Sequence, residues 1–246
     1  MNIRSVPHNF DKLRYYLDEL DHKFSIIALS ETWLNEYTKT TYNIIGYKHE
    51  SVFRNNRMGG GVSLFITNTI NYKVREDLTI DLVDVNILFI EIPKSEFKTN
   101  HNILIAVCYR APHVRGIEFI EKLDALLDKL DKEKTYSYFI GDMNINTLNL
   151  SPASSCIASD YHNLFLSYSF QSLIDKPTRE HGNSSTLIDH IYTNTPQSLN
   201  VCVSCILKAS LADHYSIVCI TNYTILMLIK RVQLVRGILV KKICQN

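Results

Sequence analysis

The sequence has almost no excess charge of either sign. Its 26 Lys and Arg residues are balanced by 25 Asp and Glu residues, so the formal net charge is +1 and the pI is about 7.6. Domains that bind nucleic acid by charge alone are usually strongly basic. The balance therefore excludes a passive nucleic-acid-binding module, and any contact with DNA must come from a local positive patch.

The sequence also lacks a disulfide framework, a signal peptide and a membrane segment. Cys202 and Cys205 form a lone pair in an apolar run, where strand alternation would point the two thiols to opposite faces. We interpret the six cysteines as reduced core residues rather than as a zinc or redox site. The chain opens without an apolar leader, and no stretch reaches the roughly 18 apolar residues of a membrane span. We therefore expect a nuclear or cytoplasmic location, no secretion and no stable membrane span.

No internal repeat and no low-complexity linker divides the 246 residues. Hydrophobic residues make up 46% and charged residues 21% of the chain, which is ordinary for a globular protein. Because a chain of this length buries roughly 70–75% of its unfolded surface, it needs neither a metal nor a disulfide to hold its core together.

Apolar periodicity predicts strands interleaved with a few helices. A helix is predicted over 10–24 with Asn9 as its N-cap, and further helices over 117–130 and 159–169. Such a mixture indicates a layered α/β architecture, in which the loops at strand ends collect functional groups. Strands are predicted over 25–29, 62–66, 86–92, 102–109, 136–142, 187–192, 201–207 and 215–221.

The most informative of these strands ends in Gly141-Asp142-Met143-Asn144. If strand alternation continues, the carboxylate and the carboxamide point to the same side of the strand end, and Gly141 leaves room for a substrate backbone or phosphate. A carboxylate takes up a proton or holds a metal, and an amide donates to a phosphate oxygen. The pair therefore suits hydrolysis of a phosphate ester, although an Asx pair after a strand is also common in turns.

Other short segments place polar groups where predicted strands stop. Taken singly, each has an ordinary explanation: Glu31 as a solvated loop acid, Tyr109 as an interface aromatic, and Asp189 with His214 as a structural ion pair. Their occurrence in this order makes a shared site the better explanation. The segments are Asn2-Ile3-Arg4-Ser5, Leu29-Ser30-Glu31-Thr32-Trp33-Leu34, Tyr109-Arg110-Ala111-Pro112, Leu187-Ile188-Asp189-His190-Ile191 and Ala212-Asp213-His214.

As a set, these segments resemble the endonuclease/exonuclease/phosphatase superfamily, the DNase I-like fold, over residues 1–221. The chain looks most like the apurinic-type endonuclease domain of non-LTR retrotransposons. The resemblance implies an α/β fold, a four-layer α/β/β/α sandwich, here without its first N-terminal strand because Asn2 follows Met1 directly. The retrotransposon branch is favoured by Ile27-Ala28-Leu29-Ser30-Glu31-Thr32-Trp33-Leu34, Gly59-Gly60-Gly61-Val62, Tyr109-Arg110-Ala111-Pro112, Pro177-Thr178-Arg179 and Ser185-Thr186-Leu187-Ile188-Asp189-His190-Ile191.

The resemblance implies a metal corner in this chain. Glu31 would bind Mg²⁺, with Mn²⁺ as the alternative ion, because a hard cation that keeps several waters needs only one or two protein carboxylates. Asn2 would support that corner, and Asp213 would support the metal or the neighbouring histidine. Arg179 would lie near the DNA backbone rather than in the chemistry. Here Ala212 stands where relatives have a serine, which removes at most a supporting hydroxyl.

The resemblance also implies the catalytic roles. Asp142 would activate or orient the attacking water, and Asn144 would hold the scissile phosphate. Tyr109 and His214 would contact phosphate oxygens, with Asp189 fixing the tautomer of His214 and raising its basicity.

Together these roles imply a Mg²⁺-dependent phosphodiesterase, a DNA endonuclease of retrotransposon origin that nicks DNA and leaves a 3′-hydroxyl and a 5′-phosphate. Two alternatives stay open. The chain is a catalytically inactive relic of a mobile element, or it acts on another phosphate ester, because fold does not settle substrate. The retrotransposon-like segments favour DNA, whereas the balanced charge weakens that interpretation.

Residues 222–246 form a basic and apolar tail that matches nothing expected after such a domain. Their apolar residues share one helical face and most of their basic residues the other. A helix on a membrane surface is one interpretation; a packed or frayed terminal helix, or a tail unrelated to the activity, is the one we favour. The reverse transcriptase that follows the endonuclease in such elements is absent from this sequence, and we expect a monomer.

Overall fold

A computed structural model describes residues 1–54, 59–150, 157–196, 202–208 and 211–221. The predicted tail, 222–246, lies outside the described residues. Within the described ranges, no helix combines the length and the apolar character needed to span a bilayer.

Four helices and thirteen strands make up the described part of the chain. The helices are α1 Val6–Glu19, α2 Lys94–Phe97, α3 Gly116–Glu133 and α4 Ile157–Ser167. The strands are β1 Ile26–Ser30, β2 Tyr47–Val52, β3 Val62–Thr67, β4 Lys73–Val74, β5 Val85–Ile92, β6 Ile103–Arg110, β7 Tyr136–Asp142, β8 Gln171–Ser172, β9 Arg179–His181, β10 Ser184–Thr186, β11 Asp189–Thr193, β12 Val203–Leu207 and β13 Ser216–Ile220.

Two sheets face each other in the middle of the molecule. The first has the strand order β1-β3-β2, and the second has the order β4-β5-β6-β7-β11-β8. All neighbouring strands are antiparallel except β6 and β7, which run parallel and are joined through α3. That connection follows the general rule that parallel neighbours need a long crossover, usually a helix.

Strand β3 shows how the layers stack. Val62, Leu64 and Ile66 join the core between the two sheets, whereas Phe65 points to the opposite face and packs with Leu13 of α1. Helices α3 and α4 cover the outer face of the second sheet, where their buried side chains join the same core as β7. The order helix, sheet, sheet, helix confirms the predicted α/β sandwich.

The first helix differs from the prediction at both ends. It begins at Val6 and ends at Glu19, so the prediction of 10–24 with Asn9 as the N-cap was wrong. Pro7 fits the first helical turn, where the missing N–H costs nothing. The Asn9 side chain lies inside the helix and donates to the carbonyl oxygens of Ile3 and Arg4 instead. Strand β2 was not predicted, because Tyr47–Val52 lacks a run of apolar residues.

The outer edge of β1 is only partly paired in the described residues. Residues 1–3 lie along the upper part of that edge, with a single parallel bridge between Asn2 and Ser30. Strands β12 and β13 form a separate two-stranded sheet and are not hydrogen-bonded to β1 in the described residues. The layer that contains β1 is therefore divided into two parts.

Gly141 allows β6 and β7 to approach, and this explanation corrects the sequence-based one. A Cβ at Gly141 would lie 1.8 Å from the carbonyl oxygen of Cys108 on β6, and φ is +144°. The glycine therefore makes room for a neighbouring strand and not for a substrate.

We expect Gly141→Ala to destabilise the fold by about 3 kcal/mol or more, because both the backbone contact and the positive φ penalise a side chain. Gly182→Ala is the matched control, since Gly182 also has a positive φ of +56° but no atom of the described residues within 4 Å of its Cβ position. Urea unfolding of both variants measures the difference. Equal losses in the two variants would contradict the role of the Cys108 contact.

Candidate active site

Three neighbouring strands of the second sheet align acidic and phenolic side chains. Tyr109 on β6 is in register with Asp142 on β7, and Asp142 is in register with Asp189 on β11. His214 joins them from the chain before β13, through a bridge between His214 and Arg179 of β9. Residues more than one hundred positions apart are thus brought to one end of the sheet.

Asp142, Asp189 and His214 form a buried cluster in which one atom of each lies within 4.8 Å of the others. His214 Nδ1 lies 2.8 Å from Asp189 Oδ2 and 4.0 Å from Asp142 Oδ2. The structure therefore brings together three of the residues that the sequence proposed for one site.

Burial sets the ionisation of this cluster. It raises the pKa of Asp142 to about 7, with a further increase from the charge of Asp189 and a partial offset from His214. Burial alone would lower the pKa of His214. The hydrogen bond and charge of Asp189, with the charges of Asp142 and Asp213, outweigh burial and hold that pKa above its usual value. Asp142 is thus poised to exchange a proton near neutral pH.

Two asparagines position the Asp142 carboxylate. Asn2 Nδ2 donates to Asp142 Oδ2 at 2.9 Å, and the backbone N–H of Asn144 donates to Asp142 Oδ1 at 3.0 Å. Asn144 has a φ of +48°, so the chain turns directly after Asp142 and strand alternation does not continue. The Asn144 side chain donates to the carbonyl oxygen of Arg110 at 2.8 Å.

Glu31 and Tyr109 form a second pair at the same end of the sheet. Glu31 follows β1 in a left-handed conformation with φ +52°. The Tyr109 hydroxyl is hydrogen-bonded to Glu31, and burial together with the Glu31 charge raises the pKa of Tyr109. The guanidinium of Arg54 lies 5.7 Å from the centre of the Tyr109 ring. Tyr109 consequently keeps its proton at neutral pH and remains a donor.

A cavity of about 240 Å³ opens above the cluster. Six of the nine residues proposed for the site line it, and its other lining residues are Arg4, Trp33 and Pro112. Asp142, Asp189 and Tyr109 do not line it. The six are Asn2, Glu31, Asn144, Arg179, Asp213 and His214.

Asp213 faces two arginines rather than the buried cluster. Arg179 binds its Oδ2 with Nη2 at 2.7 Å and Nε at 3.1 Å, and Arg4 Nη1 lies 3.6 Å away. Burial alone would raise the pKa of Asp213, but the hydrogen bond from Arg179 and the charge of His214 hold it below its usual value. The structure thus pairs Arg179 with a carboxylate at the rim of the cavity.

Sequence reasoning did not assign roles to two residues that position this site. Arg110 is buried and donates to the carbonyl oxygens of Met143 at 2.6 Å, Asn144 at 2.8 Å and Val114. Thr178 Oγ1 donates to Asp189 Oδ2 at 2.7 Å and accepts the backbone N–H of Asp189 at 3.1 Å. Both lie in segments that carried the resemblance, which was the only available signal.

We expect Thr178→Val to destabilise the protein by about 2 kcal/mol, because it leaves a buried carboxylate and two backbone N–H groups with one partner fewer. Chemical unfolding measures the change. Thr41→Val, at an exposed position, is the control and should change the free energy of unfolding by less than about 0.5 kcal/mol. A loss no larger than that of the control would show that Thr178 does not support Asp189.

The donor set suits a hard divalent cation. Glu31 supplies a partly exposed carboxylate at the cavity, and the buried Asp142 and Asp189 add negative charge nearby. Mg²⁺ prefers oxygen ligands and keeps several waters, so few protein carboxylates are needed. Nδ1 of His214 is already hydrogen-bonded to Asp189, which favours the Glu31 carboxylate over this nitrogen as a ligand. The residues present therefore fit such an ion.

Solved structures of nucleases resemble this fold. The endonuclease domain of TRAS1, a telomere-specific non-LTR retrotransposon, has a TM-score of 0.67 and 14% identity, with 89% of this chain and 94% of that chain covered. An AP endonuclease from Archaeoglobus fulgidus has a TM-score of 0.66 and 16% identity, with 90% of this chain and 97% of that chain covered. A 3′-5′ exonuclease from Neisseria meningitidis has a TM-score of 0.64 and 12% identity, with 89% of this chain and 96% of that chain covered. At these identities the likeness establishes the fold alone.

A search of curated protein sequences finds no match to this chain. The sequence does match the Endonuclease/Exonuclease/phosphatase family over residues 1–214. That range includes β1 to β12 and every residue of the candidate site. With most of the chain matched and the two-sheet fold in agreement, this chain belongs to the Endonuclease/Exonuclease/phosphatase family.

Proposed function

We propose that this protein is a Mg²⁺-dependent DNA endonuclease of retrotransposon origin that nicks DNA and leaves a 3′-hydroxyl. The observation that carries the proposal is the convergence of Asp142, Asp189 and His214 beneath a cavity lined by Glu31 and Asn144. These groups supply a base, an oriented imidazole, a metal ligand and an amide donor at one place. In-line attack of water on a phosphodiester requires that set.

Each side chain has a task that follows from its surroundings. Asp142 accepts a proton from the attacking water, because burial brings its pKa to about 7. Asp189 holds Nδ1 of His214, so the other ring nitrogen is left for a phosphoryl oxygen. Asn144 would donate to the same phosphate with the amide hydrogen that Arg110 does not accept, and Tyr109 would do so once its hydroxyl turns away from Glu31. Glu31 would hold the metal, which supplies positive charge to the phosphoryl oxygens when bound.

Supercoiled plasmid provides the direct test. Purified full-length protein should convert it to the nicked form with Mg²⁺ and not with EDTA, and a DNA polymerase should extend the nick because the product carries a 3′-hydroxyl. His214→Ala should abolish nicking, whereas His8→Ala, an exposed position on α1, should not. Equal activity in the wild type and the His214 variant would mean a contaminating nuclease and would overturn the proposal.

A catalytically inactive relic is the second candidate, and a specific observation favours it. The layer that contains β1 is in two parts, and residues 1–3 are held to β1 by backbone hydrogen bonds to Ala28 and Ser30 alone among the residues of that layer. Since Asn2 holds Asp142, loss of these few hydrogen bonds would disturb the base. Mg²⁺-dependent thermal stabilisation separates the candidates, because an ion that binds the native state raises its stability. A relic with an unformed site would show no Mg²⁺-dependent shift.

Hydrolysis of a phosphate ester other than DNA is the third candidate function. The Arg179 guanidinium is paired with Asp213, and the chain has a net charge of only +1, so the positive surface for a long DNA backbone is limited. Parallel assays with inositol phosphates, sphingomyelin and polyadenylate under the same conditions address this. Hydrolysis of one of these at a rate above that of DNA would reassign the substrate while leaving the chemistry in place.

A further inference from the structure

The carboxylate proposed for the metal lies on a strained stretch of backbone. Glu31 has a φ of +52° and Trp33 has a φ of +55°. Residues other than glycine pay about 1–3 kcal/mol for this left-handed conformation, and they keep it only where neighbouring groups impose it. The contacts that impose it here therefore decide where the Glu31 side chain points.

Backbone hydrogen bonds hold this stretch from two sides. The first residues of α1 and the residue before it donate to the carbonyl oxygens of Glu31 and Thr32. On the other side, Gly61 accepts the N–H of Thr32 at 3.3 Å, and Gly60 accepts the N–H of Trp33 at 2.9 Å. The glycine turn, Gly60 and Gly61, is thus the partner of both residues that follow Glu31.

The side chain of Asn86 anchors the glycine turn. Asn86 is 7% exposed, and its Oδ1 accepts the N–H of Gly61 at 2.9 Å. The same oxygen accepts Nε of Arg54 at 3.2 Å. A Cβ at Gly60 would lie 2.5 Å from Cζ of Arg54, so the guanidinium closes over the turn. One carboxamide oxygen therefore ties the turn to Arg54.

Arg54 contacts both members of the Glu31–Tyr109 pair, one directly and one through the turn. Its guanidinium lies 5.7 Å from the centre of the Tyr109 ring. Asp84 fixes the guanidinium, because Nη1 lies 3.3 Å from its Oδ1 and Nη2 donates to its carbonyl oxygen at 3.1 Å. The carboxylate of Asp84 also balances the buried charge of Arg54.

Asn86 belongs to the row of polar residues that crosses the second sheet. It is in register with Tyr109, which is in register with Asp142, and Asp142 with Asp189. Side chains of directly paired residues lie on the same face of a sheet. Since the glycine turn leads into β3 of the first sheet, the hydrogen bond from Gly61 to Asn86 joins the two sheets at the candidate site.

We propose that Asn86 is a positioning residue that sets the Mg²⁺ affinity of the site. Its Oδ1, with Arg54 closed over the glycine turn, fixes the Glu31 carboxylate relative to Asp142. This inference rests on the proposed function, in which Glu31 holds the ion. Groups that orient a metal ligand without touching the metal change its affinity by about 10–100-fold when they are removed.

The Mg²⁺ dependence of Tm, measured on the full chain without DNA, tests the role of Asn86. Asn86→Leu keeps a similar volume but leaves the N–H of Gly61 and Nε of Arg54 without their acceptor. It should weaken Mg²⁺ binding by about 10-fold or more. Asn86→Asp keeps an oxygen that accepts from both donors, and its Mg²⁺ affinity should stay within about 3-fold of the wild type.

Asn194→Leu is the matched control. Oδ1 of Asn194 accepts the N–H of Ser137 at 2.7 Å, near the end of β7 that is remote from Asp142. This variant therefore also loses an acceptor for a backbone N–H, and it should lower Tm without changing Mg²⁺ affinity. Equal weakening of Mg²⁺ binding in Asn194→Leu and Asn86→Leu would reflect a general loss of stability and would overturn the proposal.

Plasmid nicking separates metal affinity from the chemical step. For Asn86→Leu, the Mg²⁺ concentration that gives half-maximal nicking should rise by about 10-fold or more. The rate at saturating Mg²⁺ should stay within about 3-fold of the wild type, because the general base Asp142 is unchanged. Wild-type Mg²⁺ affinity in a folded Asn86→Leu variant would overturn the proposal.

Arg54→Met provides the same test if Asn86→Leu does not fold. It removes the guanidinium that closes over the glycine turn but keeps the hydrogen bond between Gly61 and Asn86, so Mg²⁺ binding should weaken by about 3-fold or more. Unchanged affinity in this variant would overturn the proposal while the proposed function stood. A wild type that binds no Mg²⁺ would instead overturn the proposed function, and this inference with it.

Discussion

Asp142→Asn should lower the rate of plasmid nicking by about 10³-fold, the contribution of a positioned general base. The substitution keeps the size of the side chain and leaves an oxygen to accept from Asn2 or Asn144. What it removes is the ability to take a proton from water. The loss should therefore appear in the catalytic rate rather than in folding, and single-turnover kinetics at saturating Mg²⁺ measures it.

The same variant should be at least as stable as the wild type in EDTA. Asp142 is 1% exposed and lies beside Asp189, so its ionised form is disfavoured by both burial and repulsion. Asp81→Asn, at an exposed position, is the control and should leave both the rate and the stability unchanged. A stable Asp142→Asn variant with wild-type activity would remove Asp142 from the chemistry.

The contribution of Asp142 to the stability of the metal-free protein should fall as the pH rises from about 4 to about 7, whereas His49 and His190, whose pKa values burial lowers to about 4, contribute the opposite trend. Asp142 has its ordinary pKa of 3.8 when unfolded and a pKa of about 7 when folded. Between those values the native state retains a proton that the unfolded state has lost, so protonation favours folding there. At about 1.4 kcal/mol per pKa unit, ionisation of Asp142 lowers the free energy of unfolding by on the order of 4 kcal/mol.

His214 acts in the same direction in a higher range. Its pKa is raised in the folded protein, so its contribution is present below its unfolded value of 6.5 and is lost as the pH rises through the folded value. Urea unfolding in EDTA from pH 4 to 8 measures both effects, and the difference between wild type and Asp142→Asn isolates the aspartate. Parallel curves for the two proteins would contradict the raised pKa of Asp142. Added Mg²⁺ should reduce the difference between the pH dependences of the wild type and Asp142→Asn, because a cation favours the ionised carboxylates.

The elements that the sequence predicted best are those whose pattern is local. Strand β7 and helix α3 are marked by apolar runs and 3.6-residue spacing, and both were found close to their predicted limits. Helix α1 was displaced because Phe24 and Leu20 fit the same periodicity but lie beyond its end. Strand β2 was missed because its burial comes from pairing with β3 and not from its own composition.

The candidate site divides in the same way. Its residue types were readable because Glu31, Asp142 and His214 stand in short segments with a recognisable resemblance. Thr178 and Arg110 were assigned no role, since each acts by hydrogen-bonding groups of residues that the chain brings close only after folding. The residue type of a side chain does not by itself reveal that it positions another side chain.

By itself, the sequence determined the alternation of helices and strands and the polar groups that end the strands. Both are encoded by residues that are close together in the sequence. Only the tertiary structure decided that His214 lies within hydrogen-bonding distance of Asp189 and ion-pair distance of Asp142, that Asp213 pairs with Arg179, and that an apolar cavity lies between β1 and β13. Those outcomes depend on strand register and on the burial of charge, which arise when distant segments pack together.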